Sequence, residues 1–536
     1  MTTSDESIKA AAEERSKHAL ASPHHLRSGA VGVFELYGNC LAAIAPVASM
    51  LFNVPVMASQ AGAATPLVFL LSGVGVLLLA CSVIYFSSRF VSAGAFYTWV
   101  RQSLGPHMGF RTGWLILGIY SLFEISLQAN VGGSLDNILS SLGFHLPLGW
   151  LGYAVILTGI VFVLSLLDVQ LASWIMAVFS LLELVSLLLL NSAITLKGGV
   201  AGHDLLHTFT PAGATLEAVT PGGLAGICLA MSFAFLAFMG FETGVAYGEE
   251  TRHPRRKMLV VLSSLLLALT LLYSWTAYAA TIGIGWQQAG TVLGNVANAP
   301  LQYVTLATTF VGAWLGQLLS ALVISSNFAS ACAMHQVQTR YLFAMGREEI
   351  LPSFFGRTHS RWKSPYAAGI AQSLFTVCVL SVLGCFLMQH TNPDGSIVYA
   401  LGLPDGTQWT QTNGIVIFQW LSTIVSISIV IVYIFTNIAM PYEAWRRKEL
   451  RWWKHVLPVV LSCTLLLLPL LSQTLPSLPI LASFLTPLGL SPAPFPQIIL
   501  PLAVVSWMVL GEGYKWWLLK RYPERIEGLG HILQEA

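Results

Sequence analysis

Apolar residues along this chain gather in blocks rather than alternating with polar ones. Twelve blocks stand out, at residues 34–60, 65–88, 108–138, 148–167, 171–196, 222–249, 258–284, 303–343, 366–388, 412–440, 456–475 and 496–518. Each holds at least the ~20 residues that carry a helix across a hydrocarbon core roughly 30 Å thick. The pattern predicts an all-α integral membrane protein with twelve transmembrane helices. The short amphipathic stretch 94–104 is predicted to lie at the cytoplasmic surface.

Composition narrows the reading. Of 536 residues, 55% are hydrophobic and 9% charged, where a soluble domain carries about 25% charged residues. A soluble globular protein, a disordered chain and a nucleic-acid binder are excluded. The net charge of +2 says little, but its distribution says more. With the N-terminus placed inside and the loops assigned alternately, all of the 26 Lys and Arg residues except Lys197 fall on the inner side. That asymmetry orients membrane proteins. It predicts a multi-pass protein of the plasma membrane with both termini cytoplasmic, as tails at 1–30 and 521–536. The seven cysteines show no paired spacing, so they are read as packing residues, with no disulfide framework or metal site. Among the external loops, 197–221 carries His203, Asp204 and His207, which without a further ligand read as a solvated polar loop. The loop 389–411 is polar, and 476–496 is rich in proline.

Two blocks are interrupted. Block one carries Pro46 in mid-membrane and Pro55 nine residues on, with the small residues Ala45, Ala48 and Ser49 around the first. Proline removes a backbone donor and clashes with the preceding turn. Block six reads Phe238-Met239-Gly240-Phe241-Glu242, a helix-weakening glycine beside a carboxyl group. An acid at membrane depth costs several kcal/mol unless paired or solvated, so it marks function. Irregular backbone at that depth survives only against protein or a water-filled cavity. Interrupted segments at matching places in two halves point to an inverted-repeat transporter. The halves are 31–196 and 222–440; an odd number of blocks, five, separates the breaks, so their topologies are opposite. Residues 441–520 add two helices. Free N–H groups at half-helix starts suit an anion, and free carbonyls at the other ends suit an ammonium group. A zwitterionic amino acid presents both.

At these residues the chain resembles the amino acid–polyamine–organocation superfamily of permeases. Four stretches carry the resemblance. They are Ala45 to Met50; Ser92 to Trp99 with Leu104-Gly105-Pro106 and Gly113-Trp114; Phe238 to Glu242 with Glu249 to Arg256; and Arg340 to Arg347 with Leu351-Pro352 and Ser364-Pro365. The resemblance implies the leucine-transporter fold, a 5+5 inverted repeat with two extra C-terminal helices. It implies a substrate site on Pro46, Val47, Ala48, Ser49 and Met50, whose amides would hold a carboxylate, and on Leu236, Met239 and Gly240, whose carbonyls would hold an ammonium group. Ser49 matches the central Ser of the family's Gly-Ser-Gly, while Ala48 and Met50 replace the glycines, and Met50 narrows the site. Glu242 matches the Gly-Phe-Glu glutamate and is read as a coupling or gating residue. Glu183 stands where some proton-coupled relatives carry a lysine, and is read either as a coupling acid or as a structural one. Ser325, Ser326 or Ser330 could serve a sodium site. Glu124 is read as structural and His335 as a packed or hydrogen-bonded residue.

The function expected is secondary transport of an amino acid by alternating access, proton-coupled or by exchange. The alternative is a polyamine or another organic amine. A channel or receptor would need a repeated selectivity ring or a sensing domain, and neither is visible. No catalytic motif occurs, so no enzyme is expected. The expected partners are the bilayer, the amino acid or amine, and H+ or Na+; no cofactor, metal or nucleic acid is expected.

Overall fold

The computed structural model describes residues 32–527 apart from 92–93, 142, 145–147, 167–168, 217–218, 220, 247–253, 297–298, 360–363, 392–396, 403–408 and 476–498, and also describes 534–535. The expected N-terminal tail 1–30 and the proline-rich loop 476–496 therefore lie outside the described residues.

The first apolar block is two helices, α1 (Val33–Ile44) and α2 (Pro46–Ala61). Between them Ala45 is left-handed, with φ +50°, a conformation that costs a residue with a Cβ roughly 1–2 kcal/mol. Pro46 opens α2 at the position where a missing N–H costs least. A short 3-10 turn, Gly62–Ala64, leads into α3 (Thr65–Ser87). Next comes α4 (Ala95–Leu104), the stretch expected at the membrane surface. It is helical but buried: Phe96, Tyr97, Trp99 and Val100 are fully enclosed, packed against α5 (Pro106–Ser141). The aromatic side of its amphipathic pattern faces protein rather than lipid.

The chain continues through α6 (Gly149–Leu166), α7 (Val169–Lys197) and a short helix, α8 (Leu205–Thr208). The second interrupted block is α9 (Gly223–Phe238) and α10 (Thr243–Ala246). Then come α11 (Pro254–Ile284), α12 (Leu301–Phe310) and α13 (Ala313–Arg347). The single block expected at 303–343 is thus two helices, parted where Gly312 adopts φ +145°. The remaining long helices are α14 (Tyr366–Phe386), α15 (Gly414–Arg446), α16 (Leu457–Thr474) and α17 (Leu500–Arg521).

Ten stretches of the described residues are long and apolar enough to cross a membrane. The difference from twelve arises in two places. α1 to α3 run on as one apolar stretch of 55 residues, Val33–Ser87, far longer than the ~20 residues one crossing needs. α17 is diluted by Glu512, Lys515 and its tryptophans. The all-helical expectation also needs a correction outside the helices. The polar loop 389–411 holds a small antiparallel sheet, in which β1 (Leu387–Thr391) pairs with both β2 (Ile397–Leu401) and β3 (Thr410–Gln411). Its strands close their backbone hydrogen bonds on one another, as a polar hairpin in water can.

α5 is the central pillar, packed against α15, α13 and α4. It is also tied to α17. The Trp114 indole donates to the Trp507 carbonyl and the Trp507 indole to the Trp114 carbonyl, each at 2.9 Å. The rings stack at 4.8 Å. Gly118 and Gly511 make this possible, since a Cβ at either would fall 2.6 Å or 2.4 Å from the facing indole. The loop trio is structural. Asp204 caps α8 through the His207 amide at 2.7 Å and holds the His207 ring at 2.9 Å. His207 stacks on Trp286 at 3.9 Å, and His203 bonds Tyr278. All seven cysteines are free; Cys40 and Cys332 are buried, but Cys81, Cys378 and Cys385 are exposed rather than packed.

Candidate functional site

The two helix interruptions meet. A Cβ on Gly240, whose φ is +112°, would fall 2.8 Å from the Ala43 carbonyl carbon and the Ile44 nitrogen. Only glycine lets the second break lie against the first. Beside them is a cleft with ≈ 330 Å³ of empty space, its mouth included. Ile44, Ala45, Ala48 and Ser49 form one wall, and Leu236 comes from α9. Phe123, Leu127, Asn327, Ser330 and Phe418 complete it, with Asn53. Of the site residues read from sequence, Ala48, Ser49 and Leu236 line this cleft. Pro46, Val47, Met50, Met239 and Gly240 sit at the breaks without lining it; Met50 is fully enclosed in the core and does not narrow it. Phe123, Leu127, Asn327, Asn53 and Phe418 were missed. Asn53 and Asn327 carried a signal, as amides within apolar blocks; the aromatic and aliphatic residues carried none.

The break between α1 and α2 frees backbone groups, and their partners can be followed one by one. In a continuous helix the Val47 and Ala48 amides would bond the Ala43 and Ile44 carbonyls. Instead Val47 N–H donates to Glu183 Oε2 at 3.0 Å and Ala48 N–H to Ser326 Oγ at 3.3 Å. Ser326 Oγ–H donates to the same Glu183 oxygen at 2.7 Å. Hydroxyls replace the lost donors: Ser330 reaches the Ala43 carbonyl at 2.7 Å and Ser49 the Ile44 carbonyl at 2.6 Å. Pro46 has no N–H, so the Ala42 carbonyl loses the donor a continuing helix would supply. The Ser49 amide bonds Ala45 O at 2.8 Å. This alters the sequence reading of Ser49, whose amide and hydroxyl are both engaged within the chain. Glu183, Ser326 and Ser330 are buried, and they tie α7, α2, α1 and α13 together. Ser325, the third sodium candidate, only bonds its own helix at Leu322.

The second break is organised by Glu242, which is buried. Its Oε2 accepts the Gly240 amide at 3.0 Å and its Oε1 accepts the Tyr120 hydroxyl at 2.9 Å. Tyr120 stacks on Tyr341 at 5.4 Å, so the carboxylate links the break to α5 and α13. Thr243 closes the turn by bonding the Gly240 carbonyl. Phe418, which lines the cleft, packs on Phe52 at 5.8 Å. Acidic oxygens thus hold amides at both breaks.

Glu124 and His335 lie apart from this cleft as a fully buried pair, 3.0 Å apart. Gln372 donates to the second Glu124 oxygen at 2.9 Å and accepts from Ser121 at 2.8 Å. This network joins α5, α13 and α14. Among the described residues no cluster of His, Cys, Asp and Glu could hold a metal ion.

Comparison with known proteins places the sequence in a family. The family model for amino acid permeases matches residues 39–526. The branched-chain amino acid permease BcaP of Lactococcus lactis subsp. cremoris is 24% identical over 326 residues, 59% of this chain and 68% of the relative. BcaP of Bacillus subtilis is 26% identical over 325 residues, 58% of this chain and 66% of the relative. A vacuolar cationic amino acid transporter 4 of Arabidopsis thaliana is 25% identical over 329 residues, 58% of this chain and 51% of the relative. The matched segment therefore spans about two thirds of the bacterial relatives and half of the plant one. With that match running through both helix breaks and every long helix after them, the chain belongs to the amino acid permease family, multi-pass membrane transporters and not enzymes.

Proposed function

We propose that this protein is a secondary active transporter that moves an amino acid across the plasma membrane by alternating access, with the cleft between the two breaks as its cargo site. The observation that carries the reading is the contact of two interrupted helices, α1–α2 and α9–α10, across one small cleft. Acceptors and small residues concentrate there, at the depth where irregular backbone needs a purpose. In this reading residues 31–196 and 222–440 are the inverted repeats, 441–520 adds two helices, and 197–221 is external. α1–α2 and α9–α10 each count as one of twelve crossings, and both termini are cytoplasmic. Pro46, Val47, Ala48, Ser49 and Met50 with Leu236, Met239 and Gly240 form the binding region. Glu242 and Glu183 couple its opening to a proton, each by holding or releasing a backbone amide at a break.

Purified protein in proteoliposomes, preloaded with one amino acid and challenged with a panel of labelled ones, tests the proposal. Saturable counterflow of at least one member is the expected result. Flux that neither saturates nor exchanges would make the protein a channel and end this reading. Amines carried to the exclusion of amino acids would favour the related alternative, an organic-amine carrier.

A further inference from the structure

Two side-chain amides, Asn53 of α2 and Asn327 of α13, line the cleft without helping to close either break. Their partners fix what they present to it. Asn327 donates one Nδ2 hydrogen to the Val323 carbonyl at 3.0 Å. A carbonyl only accepts, so the amide nitrogen must lie on that side. Its Oδ1 then lies on the other, where it accepts from Asn130 Nδ2 of α5 at 3.4 Å. An amide nitrogen carries two hydrogens, so one Asn327 N–H is left over. Asn53 is only 5% exposed, and no partner holds its side chain among the described residues. It presents two N–H donors and one carbonyl acceptor. A polar group enclosed in this way destabilises the fold unless something bonds it.

The direction of the helices places both amides on one side of the first break. Ser330 meets Ala43 while Ser326 meets Ala48, so α13 runs antiparallel to α1–α2. Asn53 lies one turn beyond Ser49, and Asn327 about one turn back from Ser330. Both are therefore displaced along α2, roughly 5.4 Å from the serines that serve the break carbonyls. The hydroxyls of Ser49 and Ser330 already donate to those carbonyls. Around the amides the walls are apolar, with Phe123, Leu127, Leu236 and Phe418, and no Lys, Arg, His, Asp or Glu is among the described residues that line the cleft. A charged side chain on the cargo would lose its water there and meet no opposite charge. A carboxylate takes hydrogen bonds but gives none, so it would leave the Asn53 oxygen unserved. A hydroxyl or a carboxamide both gives and takes.

From this we infer that Asn53 and Asn327 form a side-chain subsite for a neutral hydroxyl or carboxamide. The cargo class is small uncharged polar amino acids, of which serine, threonine, asparagine and glutamine are examples, rather than branched-chain or cationic ones. The inference rests on the cleft being the cargo site.

The test is competition binding to the purified protein in nanodiscs, using pairs of similar shape: threonine against valine, and asparagine against leucine, with aspartate and lysine for charge. The polar neutral member of each pair is expected to compete about 10-fold better than its apolar partner, the effect of leaving an enclosed amide unpaired. Aspartate and lysine should be weaker than asparagine by at least as much. Valine and leucine matching or beating their partners, or lysine binding best, would overturn the inference and leave the transporter reading standing. Binding by no member of the panel would overturn both. Asn53→Leu supplies an independent arm. It should weaken threonine and asparagine by about 10-fold and spare valine and leucine. An equal loss for all four would assign the amide to the carboxylate they share, and no loss would remove it from the site; either result contradicts the proposal. The wild-type comparison stands even if that variant does not fold.

Discussion

At the scale of single residues, side-chain oxygens stand in for the helix. Ser49 and Ser330 serve the adjacent Ile44 and Ala43 carbonyls. Ser49→Ala and Ser330→Ala should each cost about 0.5–1.5 kcal/mol. Because the two share one break, the double variant should depart from additivity, which denaturation in detergent can measure. Ser49→Leu should abolish binding by filling the cleft while the protein stays folded. Glu242 makes a sharper case. Glu242→Gln keeps the shape but cannot ionise, so it should bind cargo yet change the pH dependence of uptake between about pH 5 and 8. An unchanged rate and profile would remove Glu242 from coupling. In the segment between α7 and α9, desolvation would raise the Asp204 carboxyl, but the bonds from the His207 amide and ring outweigh it and hold it below its ordinary value of 3.8. Its contribution is therefore present above that value and lost as acid protonates it in the folded state. Hydrogen-exchange protection factors around α8 should fall below about pH 4, and in Asp204→Asn that acid dependence should disappear.

At the scale of elements, the breaks are built from backbone that tolerates little change. Gly240→Ala puts a Cβ against Ala43 at a φ of +112°, so it should destabilise by about 1–3 kcal/mol and push the breaks apart. A folded variant with unaltered melting would show that the two do not touch. Much of this was legible in the sequence. Pro46 and Gly240 announced where helices stop, because proline lacks an N–H donor and glycine lacks a Cβ, and those facts are local. What could not be read was local in sequence but not in space. Nothing in Ser330 says it will serve Ala43, and nothing in Glu183 says it will take Val47's amide. Helical hydroxyls and acids find such partners only when the helices pack. The burial of α4 escaped for a related reason: an amphipathic pattern names an apolar face but not whether lipid or protein covers it.

At the scale of the whole molecule, the distribution of Lys and Arg predicts an orientation that can be checked directly. On a background lacking all seven cysteines, single cysteines at Leu205 and Val398, both exposed, should react with an impermeant reagent added to intact cells. One at Arg357 should react only after permeabilisation. External reaction at Arg357 would invert the topology. The long block counted once at 303–343 shows what such arithmetic misses: α12 and α13 are separate helices, yet the turn at Gly312 adds no basic residue and leaves the charge balance untouched.

The paired indoles of Trp114 and Trp507 have a mechanical consequence. Each ring is pinned to the other helix's backbone, so sliding α17 along α5 by even one residue would break both bonds together and carry the rings off Gly118 and Gly511, the positions that have no Cβ to meet them. The two helices are clamped and must travel as one rigid lever. Spin labels on α5 and α17 should report a single fixed separation whether or not cargo is supplied. Labels on α2 and α13, whose polar link runs from the Ala48 amide to the Ser326 hydroxyl and on to Glu183 of α7, should report two. Trp507→Phe loses one bond of the clamp, worth about 0.5–1.5 kcal/mol, and should broaden the α5–α17 separation while leaving the other pair as before.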